Sequence, residues 1–416
     1  MMRTYKSRTY PSSRQIDMLN STLNLCRDLY NAMLEQRIYA YRSKKHVNYR
    51  SQQDEIPGIK NAFPEYRSIH SLVVQDVARR LDKAYYNFFR RLREKRQGKK
   101  AGAGFPRFKS ADRYSSITYT QSGFRILDNG HIWLSKIGEV RMFMHRPINE
   151  TIKTLSIKRD SVGDWFITFT VQTDRKHDEN ESTGSVATAL KPVSSVGIDL
   201  GLKALITTSD GMQLEPPHFL MKSEKKLKKA QRNLSRKQKG SGKRRKAKTG
   251  VAKVHRKIGR QRDDFSHKIS RKLVDEHDFI ALEDLDIAGM VKNRNLAKSI
   301  GDASWNRIVQ YTMYKAESAG AVVVSVNPMH TSQKCSKCGS IKDDLKLSDR
   351  IYHCDTCKHT MDRDMNAAIN IRNMGLIKIG RGTPELTPVE IGALPAMVTP
   401  VAETGSPPLK GWEDVT

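Results

Sequence analysis

Apolar residues in the first hundred positions recur at the spacing of amphipathic helices. Ser12 and Gln15 stand at the separation of a capping box, and apolar residues then follow every three or four positions as far as Met33. The same period returns between Val74 and Leu92. The pattern predicts two long helices, and we expect the aromatic run on the second to pack into a core rather than to stack on bases: Tyr85, Tyr86, Phe88 and Phe89.

After the second helix the pattern changes from a helical period to an alternation of apolar and polar residues. Alternating segments cover 115–126, 132–144 and 152–172, and Asp128-Asn129-Gly130 is typical of a hairpin turn. Together with a short strand-like start at 3–8, these segments predict a small antiparallel barrel or curved sheet.

The next part of the chain has the pattern of an α/β domain. Two strands are predicted at 196–200 and 204–208, joined by a short turn, and two more at 279–282 and 321–326. A helix is predicted around 305–316, between the last two strands. Strands and helices that alternate in this way favour a partly parallel sheet covered by helices.

Basic charge is concentrated in one predicted helical hairpin. The 416-residue chain has a formal net charge of +30, and residues 222–262 contain nineteen Lys or Arg against the single acid Glu224. Apolar positions along 222–274 predict two helical arms that bend at Gly240-Ser241-Gly242, with charged faces left for phosphates. The charge indicates a nucleic acid partner. Because no apolar stretch is long enough to span a membrane, we expect a cytosolic protein.

Four of the five cysteines form two Cys-x-x-Cys pairs separated by fifteen residues. The spacing of Cys335 and Cys338, followed by Cys354 and Cys357, predicts a zinc ribbon. Two tandem pairs in a cytosolic chain argue against a disulfide framework and against a redox motif. Since four thiolates leave no open coordination position, the expected role of the zinc is structural.

Three acidic residues punctuate separate elements of the predicted α/β domain. Asp199 lies at the end of an apolar strand, Glu283 follows another, and Asp364 lies at the start of a helix. A carboxylate in such a setting is costly to bury unless it is paired or bound to metal. A surface position at a strand end would explain any one of them, whereas a shared Mg²⁺ or Mn²⁺ site explains all three.

With these residues taken together, the chain resembles the TnpB family, the transposon-encoded relatives of type V CRISPR effector nucleases. The resemblance covers the chain to about Ile379, with 104–109 as a weaker match. It is carried by motifs that occur in the family's order: Gly197-Ile198-Asp199-Leu200-Gly201, Leu282-Glu283-Asp284-Leu285, Tyr314-Lys315-Ala316, 331–339 and 362–371.

The resemblance implies an α/β nuclease domain of the RuvC or RNase H-like fold with an inserted zinc ribbon, an antiparallel β-barrel wedge domain and an α-helical recognition lobe. The basic hairpin 222–274 would belong to the nuclease domain. The implied boundaries in chain order are wedge strand 1–10, recognition lobe 11–100, wedge barrel 101–185, nuclease domain 186–328, zinc ribbon 329–361, last nuclease helix 362–379 and disordered tail 380–416.

The resemblance further implies RNA-guided cleavage of double-stranded DNA beside a short transposon-associated motif, with a guide RNA from the transposon end and a link to transposon maintenance. The family's catalytic carboxylates map onto Asp199, Glu283 and Asp364, which would hold two Mg²⁺ ions at the scissile phosphate, with Asp199 bridging both. Its zinc ligands map onto the four paired cysteines. Asp362, the first acid of the same Asp-Arg-Asp motif, is not assigned a metal role. The resemblance also implies a prokaryotic cytosolic protein associated with the nucleoid, and we expect one protein chain to bind one RNA.

Three polar residues are candidates for reading the DNA motif. Gln75, on the second long helix, matches a polar position that faces the motif in similar proteins, and Thr120 and Gln121 fall at a comparable place in the barrel. The alternative for Gln75 is an ordinary exposed helix residue.

Three other functions compete with guided cleavage. A guide-independent RuvC-type nuclease, such as a junction resolvase, would need neither a large recognition lobe nor so large a basic charge. An RNA-guided regulator that does not cleave fits poorly with three intact acids. A strand-joining transposase uses similar carboxylates and stays open at this level.

Overall fold

The structure is a computed structural model of the chain. The residues that it describes are 2–99, 102–172, 194–346 and 348–380. They divide into two compact units: the first contains 2–172 and 225–257, and the second contains 194–224 and 258–380. Of the predicted disordered tail, residues 381–416 lie outside the described residues.

Two long helices form much of the first unit, at the positions that the apolar period predicts. The helices are α1 Ser13–Arg42, α2 Tyr49–Asp54, α3 Ile56–Ala62 and α4 Ser71–Arg96, with a 3₁₀ turn at Pro64–Ser68. The predicted capping box is confirmed at the start of α1. There the Ser12 hydroxyl accepts from the Gln15 backbone N–H, and the Gln15 side chain accepts from the Ser12 N–H at 2.9 Å.

The first unit also contains a seven-stranded antiparallel sheet. Its strands are β1 Met2–Tyr10, β2 Ser116–Tyr119, β3 Phe124–Ile126, β4 His131–Leu134, β5 Gly138–Phe143, β6 Thr151–Arg159 and β7 Trp165–Gln172. Their order is β2-β6-β7-β1-β5-β4-β3. The two edges approach each other, because the Tyr119 hydroxyl donates to the Ser135 carbonyl at 3.0 Å and the Tyr119 ring lies 6.5 Å from that of Phe124. The sheet is therefore a nearly closed barrel, as the alternation predicts.

Each of the three alternating segments folds into two strands rather than one. Gly123 and Gly163 interrupt the first and the third segment at positive φ angles of 91° and 103°, which other residues rarely adopt. The turn before Gly163 is closed by the Asp160 carboxylate, which accepts from two backbone N–H groups at 2.9 Å. Short turns that preserve the alternation are hard to distinguish from a continuous strand in the sequence.

Helices and barrel of the first unit share one hydrophobic core. Cys26 lies in this core, and burial raises the pKa of its thiol to about 12, so it packs as an apolar residue. The expectation for the aromatic run is partly wrong. Tyr85 is buried, whereas Tyr86 is 61% exposed and Phe89 is 37% exposed.

The basic segment forms two helices joined at the predicted bend, α5 Phe219–Ser235 and α6 Gly242–Glu276. Gly240 has a φ of 85° in the connection. The Arg244 guanidinium donates to the carbonyls of Leu234 and Lys237 at 3.0 and 2.8 Å, which ties the start of α6 to the end of α5. This helix pair is called the basic hairpin below.

The second unit is built on a five-stranded sheet of mixed direction. Its strands are β8 Ser195–Asp199, β9 Ile206–Thr208, β10 Gln213–Leu214, β11 Phe279–Glu283 and β12 Val322–Val326. The strand order is β10-β9-β8-β11-β12. Strands β8, β11 and β12 are parallel to one another, whereas β9 pairs antiparallel with β8, and β10 pairs antiparallel with β9.

Helices cover both faces of this sheet. They are the C-terminal part of α6, with Leu273 and Val274 in the core, and α7 Ile287–Met290, α8 Ala297–Ala303, α9 Trp305–Ala319 and α10 Arg363–Lys378. Ile198 and Leu282 pack on one face with Trp305 of α9, while Ala281 packs on the other face with Ile371 of α10. A short hairpin, β13 Ile351–His353 with β14 Thr360–Asp362, precedes α10 and belongs to the cysteine-rich segment.

Candidate functional site

Asp199 and Glu283 end two neighbouring parallel strands. The register of β8 and β11 places the two acids side by side at the carboxyl edge of the sheet. Because side chains alternate along a strand, both acids lie on the face that carries Gly197 and Ala281. This is the face that α10 covers.

Asp364 lies in the first turn of α10. The preceding acid, Asp362, caps the helix, since its carboxylate accepts from the backbone N–H groups of Asp364 and Met365 at 3.0 Å each. A capping carboxylate satisfies donors that a helix leaves unpaired at its start. Asp362 therefore serves as the helix cap, whereas Asp364 lies within the first turn of the helix. Asp199, Glu283 and Asp364 are together called the acidic centre below.

Two glycines allow α10 to lie directly on the sheet. A Cβ atom at Gly197 would lie 2.0 Å from the Ala368 carbonyl oxygen and 2.4 Å from the Arg372 backbone nitrogen. A Cβ atom at Gly375, on the helix side, would lie 2.7 Å from the Cβ of Ala281. The close approach holds the start of α10, and with it Asp364, near the strand ends.

The acidic centre is crowded and largely buried. Burial, and then the negative charges of Glu283 and Asp364, raise the pKa of Asp199 to about 8. Burial also raises the pKa of Glu283, against the effect of a hydrogen bond from Thr331. Arg363 lies 3.2 Å from the Asp364 carboxylate and opposes the rise in the pKa of Asp199. The guanidinium compensates only part of the repulsion, since the pKa of Asp199 stays high.

Two buried threonines adjoin the acidic centre, and sequence reasoning had assigned neither a role. Thr331 is 3% exposed, and its hydroxyl donates to Glu283 Oε1 at 2.6 Å. Thr207 is 1% exposed and pairs across the strands with Asp199, so the two side chains share a face. Within the described part of the chain, the Thr207 hydroxyl has no hydrogen-bond partner. Neither periodicity nor spacing marks these residues in the sequence, and the motif 331–339, which begins at Thr331, does not by itself indicate a contact with Glu283.

The structure brings the three acids to one edge without drawing all their oxygen atoms together. Among the described residues, the group whose potential ligand atoms lie within 4.8 Å of one another is that of Cys335, Cys338, Cys354 and Cys357. The predicted convergence of the cysteines is therefore confirmed, and we call this group the four-cysteine motif.

The four-cysteine motif has the dimensions of a tetrahedral metal site. The Sγ atoms of Cys335 and Cys357 are 3.7 Å apart, and those of Cys338 and Cys354 are 3.5 Å apart. Metal–sulfur bonds of about 2.3 Å in a tetrahedron give sulfur–sulfur distances of about 3.8 Å. A disulfide would bring two sulfurs to about 2 Å, so the cysteines are placed for a metal rather than for bridges.

Both halves of the four-cysteine motif have the same backbone turn. The Cys335 N–H donates to the carbonyl of Ser340, and the Cys354 N–H donates to that of His359, at 2.8 Å each. Backbone and hydroxyl donors lower the pKa of the Cys354 thiol, above all the Cys357 N–H and then the Ser340 hydroxyl. These donors thus favour a thiolate at Cys354.

Side chains along one face of α5, within the first unit, enclose a shallow basic groove of about 640 Å³. Its walls carry no acidic side chain; the lining residues are Lys225, Lys228, Lys229, Arg232, Asn233 and Arg236. Elsewhere on the basic hairpin, Lys248 pairs with Asp112 at 2.5 Å, and Arg256 pairs with Asp160 at 2.9 Å. Some of the predicted charge thus serves the fold, while the groove concentrates charge of one sign.

The three candidates for DNA-motif reading lie in the first unit. Gln75 is on the exposed side of α4, and Thr120 and Gln121 form the turn that follows β2. The His70 ring, just before α4, lies 5.5 Å from the Tyr119 ring. The turn is therefore close to the N-terminal end of α4, and the reading role of the three residues stays a prediction.

The fold and the site describe an α/β unit that has clustered carboxylates and a four-cysteine motif. Three known protein families match parts of the chain. Residues 169–294 match a family described as "Probable transposase", residues 305–371 match the "Cas12f1-like, TNB domain", and residues 1–46 match a "Helix-turn-helix domain". The second match contains the whole four-cysteine motif.

Two relatives cover almost the whole chain. The "Putative RNA-guided DNA endonuclease" of Streptomyces pristinaespiralis is 34% identical over 90% of this chain and 89% of its own length. The "Putative RNA-guided DNA endonuclease InsQ" of Escherichia coli K12 is 30% identical over 90% of this chain and 92% of its own length. The chain therefore belongs to the TnpB family, and the resemblance seen in the motifs is confirmed.

Solved structures give a weaker comparison. The structure titled "Structure of the mini-RNA-guided endonuclease CRISPR-Cas_phi3" aligns with 93% of this chain and 94% of its own, at 11% identity and a TM-score of 0.48. A likeness at this level adds nothing to the assignment.

No helix in the described residues combines the length and the apolar character needed to cross a bilayer.

Proposed function

We propose that the protein is an RNA-guided endonuclease that cleaves double-stranded DNA beside a short transposon-associated motif and serves transposon maintenance. One observation carries the proposal. In a chain of the TnpB family, Asp199 and Glu283 end two neighbouring parallel strands, and Asp364 of a separate helix lies near enough for its charge to raise the pKa of Asp199. The strand order of the second unit, with three parallel strands and an antiparallel extension, supports a RuvC or RNase H-like fold for it.

The residues of the acidic centre fit a hard divalent cation. Carboxylate oxygens are the ligands that Mg²⁺ and Mn²⁺ prefer. The pKa of about 8 at Asp199 reflects burial first and then repulsion from the other two acids, which a bound cation would relieve. On the same face lies the buried Thr207 hydroxyl, which has no hydrogen-bond partner among the described residues. We therefore assign two Mg²⁺ ions to Asp199, Glu283 and Asp364. When bound, such ions activate a water and neutralise the charge on the leaving oxygen.

The side chains of the acidic centre bind and orient. The charges of both other acids act on the pKa of Asp199, so Asp199 is the proposed ligand of both ions. Glu283 and Asp364 are the other proposed ligands. Thr331 fixes one oxygen of Glu283. No Cys, Ser or His nucleophile is assigned a role in this hydrolysis.

The four-cysteine motif fits one structural zinc. Its sulfur–sulfur distances approach those of a tetrahedral site, and four thiolates complete the coordination. The motif would then act as a folding unit between β12 and α10.

Guide RNA and target DNA are the proposed partners, with one protein chain and one RNA in the complex. The basic groove would contact backbone phosphates without reading bases. Sequence choice would come from base pairing with the guide, and Gln75, Thr120 and Gln121 would read the flanking motif.

The first test is to express the gene with its natural downstream flank and to sequence the RNA that copurifies with the protein. A single RNA that ends beyond the transposon end is the expected result, and it supplies the guide for a cleavage assay on a randomised-flank plasmid library in Mg²⁺. Heterogeneous RNA, together with cutting of branched DNA, would favour a guide-independent nuclease instead.

The second test separates binding from cutting. Asp199→Ala should abolish cleavage and leave guided DNA binding intact, because the carboxylate holds cations and not the heteroduplex. Equal loss of both activities would contradict a purely catalytic role for Asp199. The conservative control is Asp284→Asn at the exposed neighbour of Glu283, which should cut normally.

A further inference from the structure

A short loop, residues 331–336, joins the acidic centre to the four-cysteine motif. At its start, the Thr331 hydroxyl donates to Glu283 Oε1 at 2.6 Å and also lies 3.1 Å from the Pro328 carbonyl. Near its end is Cys335, which is 1% exposed. The same loop thus carries a ligand of the metal motif and the hydroxyl that holds Glu283.

Two buried asparagines of α10 hold this loop in place. The Asn370 amide donates to the carbonyls of Thr331 and Lys334 at 2.9 and 2.6 Å, and the Asn366 amide donates to the same Lys334 carbonyl at 2.7 Å. Asn366 also accepts from the Ser336 N–H at 2.9 Å. Asn366 is fully buried and Asn370 is 4% exposed, so these bonds are shielded from water.

The hydrogen bonds from the two asparagines fix the backbone at Thr331, and the Thr331 hydroxyl in turn holds the flexible side chain of Glu283. A glutamate has three side-chain torsions, and its carboxylate rotates freely unless a partner fixes one oxygen. When the Thr331 hydroxyl donates to Oε1 of Glu283, the second oxygen, Oε2, is left to bind a cation. Partners of this kind typically orient metal ligands, and their loss costs about 10–100-fold in metal affinity or activity.

We propose that Thr331 is a positioning residue for Glu283, held in register by Asn366 and Asn370 on the helix that also bears Asp364. The inference rests on the proposed role of Glu283 as a cation ligand. It gives one helix, α10, two tasks: it supplies Asp364 directly and fixes Glu283 through the loop. The acidic centre and the four-cysteine motif are then assembled by the same contacts.

The test compares three variants of the full chain, each purified with its copurifying RNA and loaded with zinc. Thr331→Val keeps the shape and removes the hydroxyl, whereas Thr331→Ser keeps the hydroxyl. Thr312→Val is the matched control, because Thr312 is also buried and, among the described residues, its hydroxyl donates only to the Ile308 carbonyl of its own helix. The readouts are Mn²⁺ affinity by electron paramagnetic resonance, guided DNA binding, single-turnover cleavage, zinc content and Tm.

We expect Thr331→Val to lose about 10–100-fold in Mn²⁺ affinity and in cleavage rate while it keeps zinc and guided DNA binding. Thr331→Ser and Thr312→Val should stay close to the parent. Parent-like Mn²⁺ affinity in Thr331→Val, or an equal loss in Thr331→Ser, would overturn the inference. If the parent itself binds Mn²⁺ but cuts no guided target, the proposed function fails, and the pattern of Mn²⁺ affinities still decides the role of Thr331.

Discussion

The surroundings of Asp199 disfavour its ionised form, so the stability of the protein should depend on pH. An isolated aspartate has a pKa of 3.8, whereas burial and two neighbouring acids raise the pKa of Asp199 to about 8. Between these values the unfolded chain releases the proton that the folded chain keeps. In the absence of divalent cation, the contribution of Asp199 to stability is therefore present below about pH 4 and is lost as the pH rises through about 8.

Replacement of this residue by Asn should flatten that response. We expect Asp199→Asn, in Mg²⁺-free buffer, to have a higher Tm than the parent at pH 8 and a similar Tm at pH 4, because the amide cannot ionise. Added Mg²⁺ should raise the Tm of the parent more at pH 8 than at pH 5 and should barely affect the variant. Thermal scans of both proteins across this pH range test the prediction. If Tm changes with pH in the same way in both proteins, folding does not raise the pKa of Asp199.

Residues that support the site were harder to predict than those that form it. Asp199 and Glu283 stand out because a charge interrupts an apolar run, and the cysteines stand out by their spacing. Thr207 and Thr331 are ordinary polar residues in a strand and a loop. Their positions beside the acids depend on cross-strand pairing and on a loop bound to α10, neither of which has a local signature.

At the scale of elements, the packing of α10 on β8 sets the geometry of the acidic centre. Ala substitution at Gly197 places a methyl group where the backbone of α10 now lies. We expect Gly197→Ala to lower stability by about 1–3 kcal/mol, as overpacking does, and to reduce cleavage by moving Asp364 away from Asp199.

A second glycine provides the control. Gly259 lies within α6 and a Cβ there would meet nothing within 4 Å, so Gly259→Ala should raise stability by about 1 kcal/mol through helix propensity alone. Denaturant unfolding and single-turnover cleavage of both variants test the argument. A Gly197→Ala protein as stable and as active as the parent would show that α10 can shift without consequence.

Elements with a long, regular period were predicted well, and those broken by short turns were not. The capping box at Ser12 and the apolar stripe that follows it locate α1 closely. The segment 152–172 was expected as a single alternating stretch, yet it contains β6, a turn closed by Asp160, and β7. The exposed Tyr86 was misassigned because periodicity places it on a helix but does not identify what covers that helix face.

For the molecule as a whole, net charge predicts a binding behaviour that is open to direct measurement. Gln substitution of Lys229, Arg232 and Arg236 removes three charges from the basic groove. We expect RNA affinity to fall and the slope of log K against log salt to become shallower by about 3, because each lost phosphate contact releases one counterion fewer.

The control for this experiment removes the same charge from elsewhere in the first unit. Gln substitution of the exposed residues Lys44, Lys45 and Lys136 should leave the salt slope near that of the parent. Filter binding of the copurified RNA across a salt series gives both slopes. Equal slopes for the two triple variants would indicate that the charge acts diffusely rather than through the groove.

The amino-acid sequence by itself determined which chemical groups the protein has and in which order they occur. Carboxylates at the ends of apolar runs, cysteines at metal spacing, a basic hairpin and the motifs of the TnpB family are all local, so they can be read along the chain. Only the tertiary structure decided how these groups meet. The register of β8 with β11, the glycine contact that seats α10, and the loop that carries Thr331 to Glu283 join residues far apart in sequence. Such contacts follow from the packing of the whole second unit, because no segment of it can bury its apolar face alone.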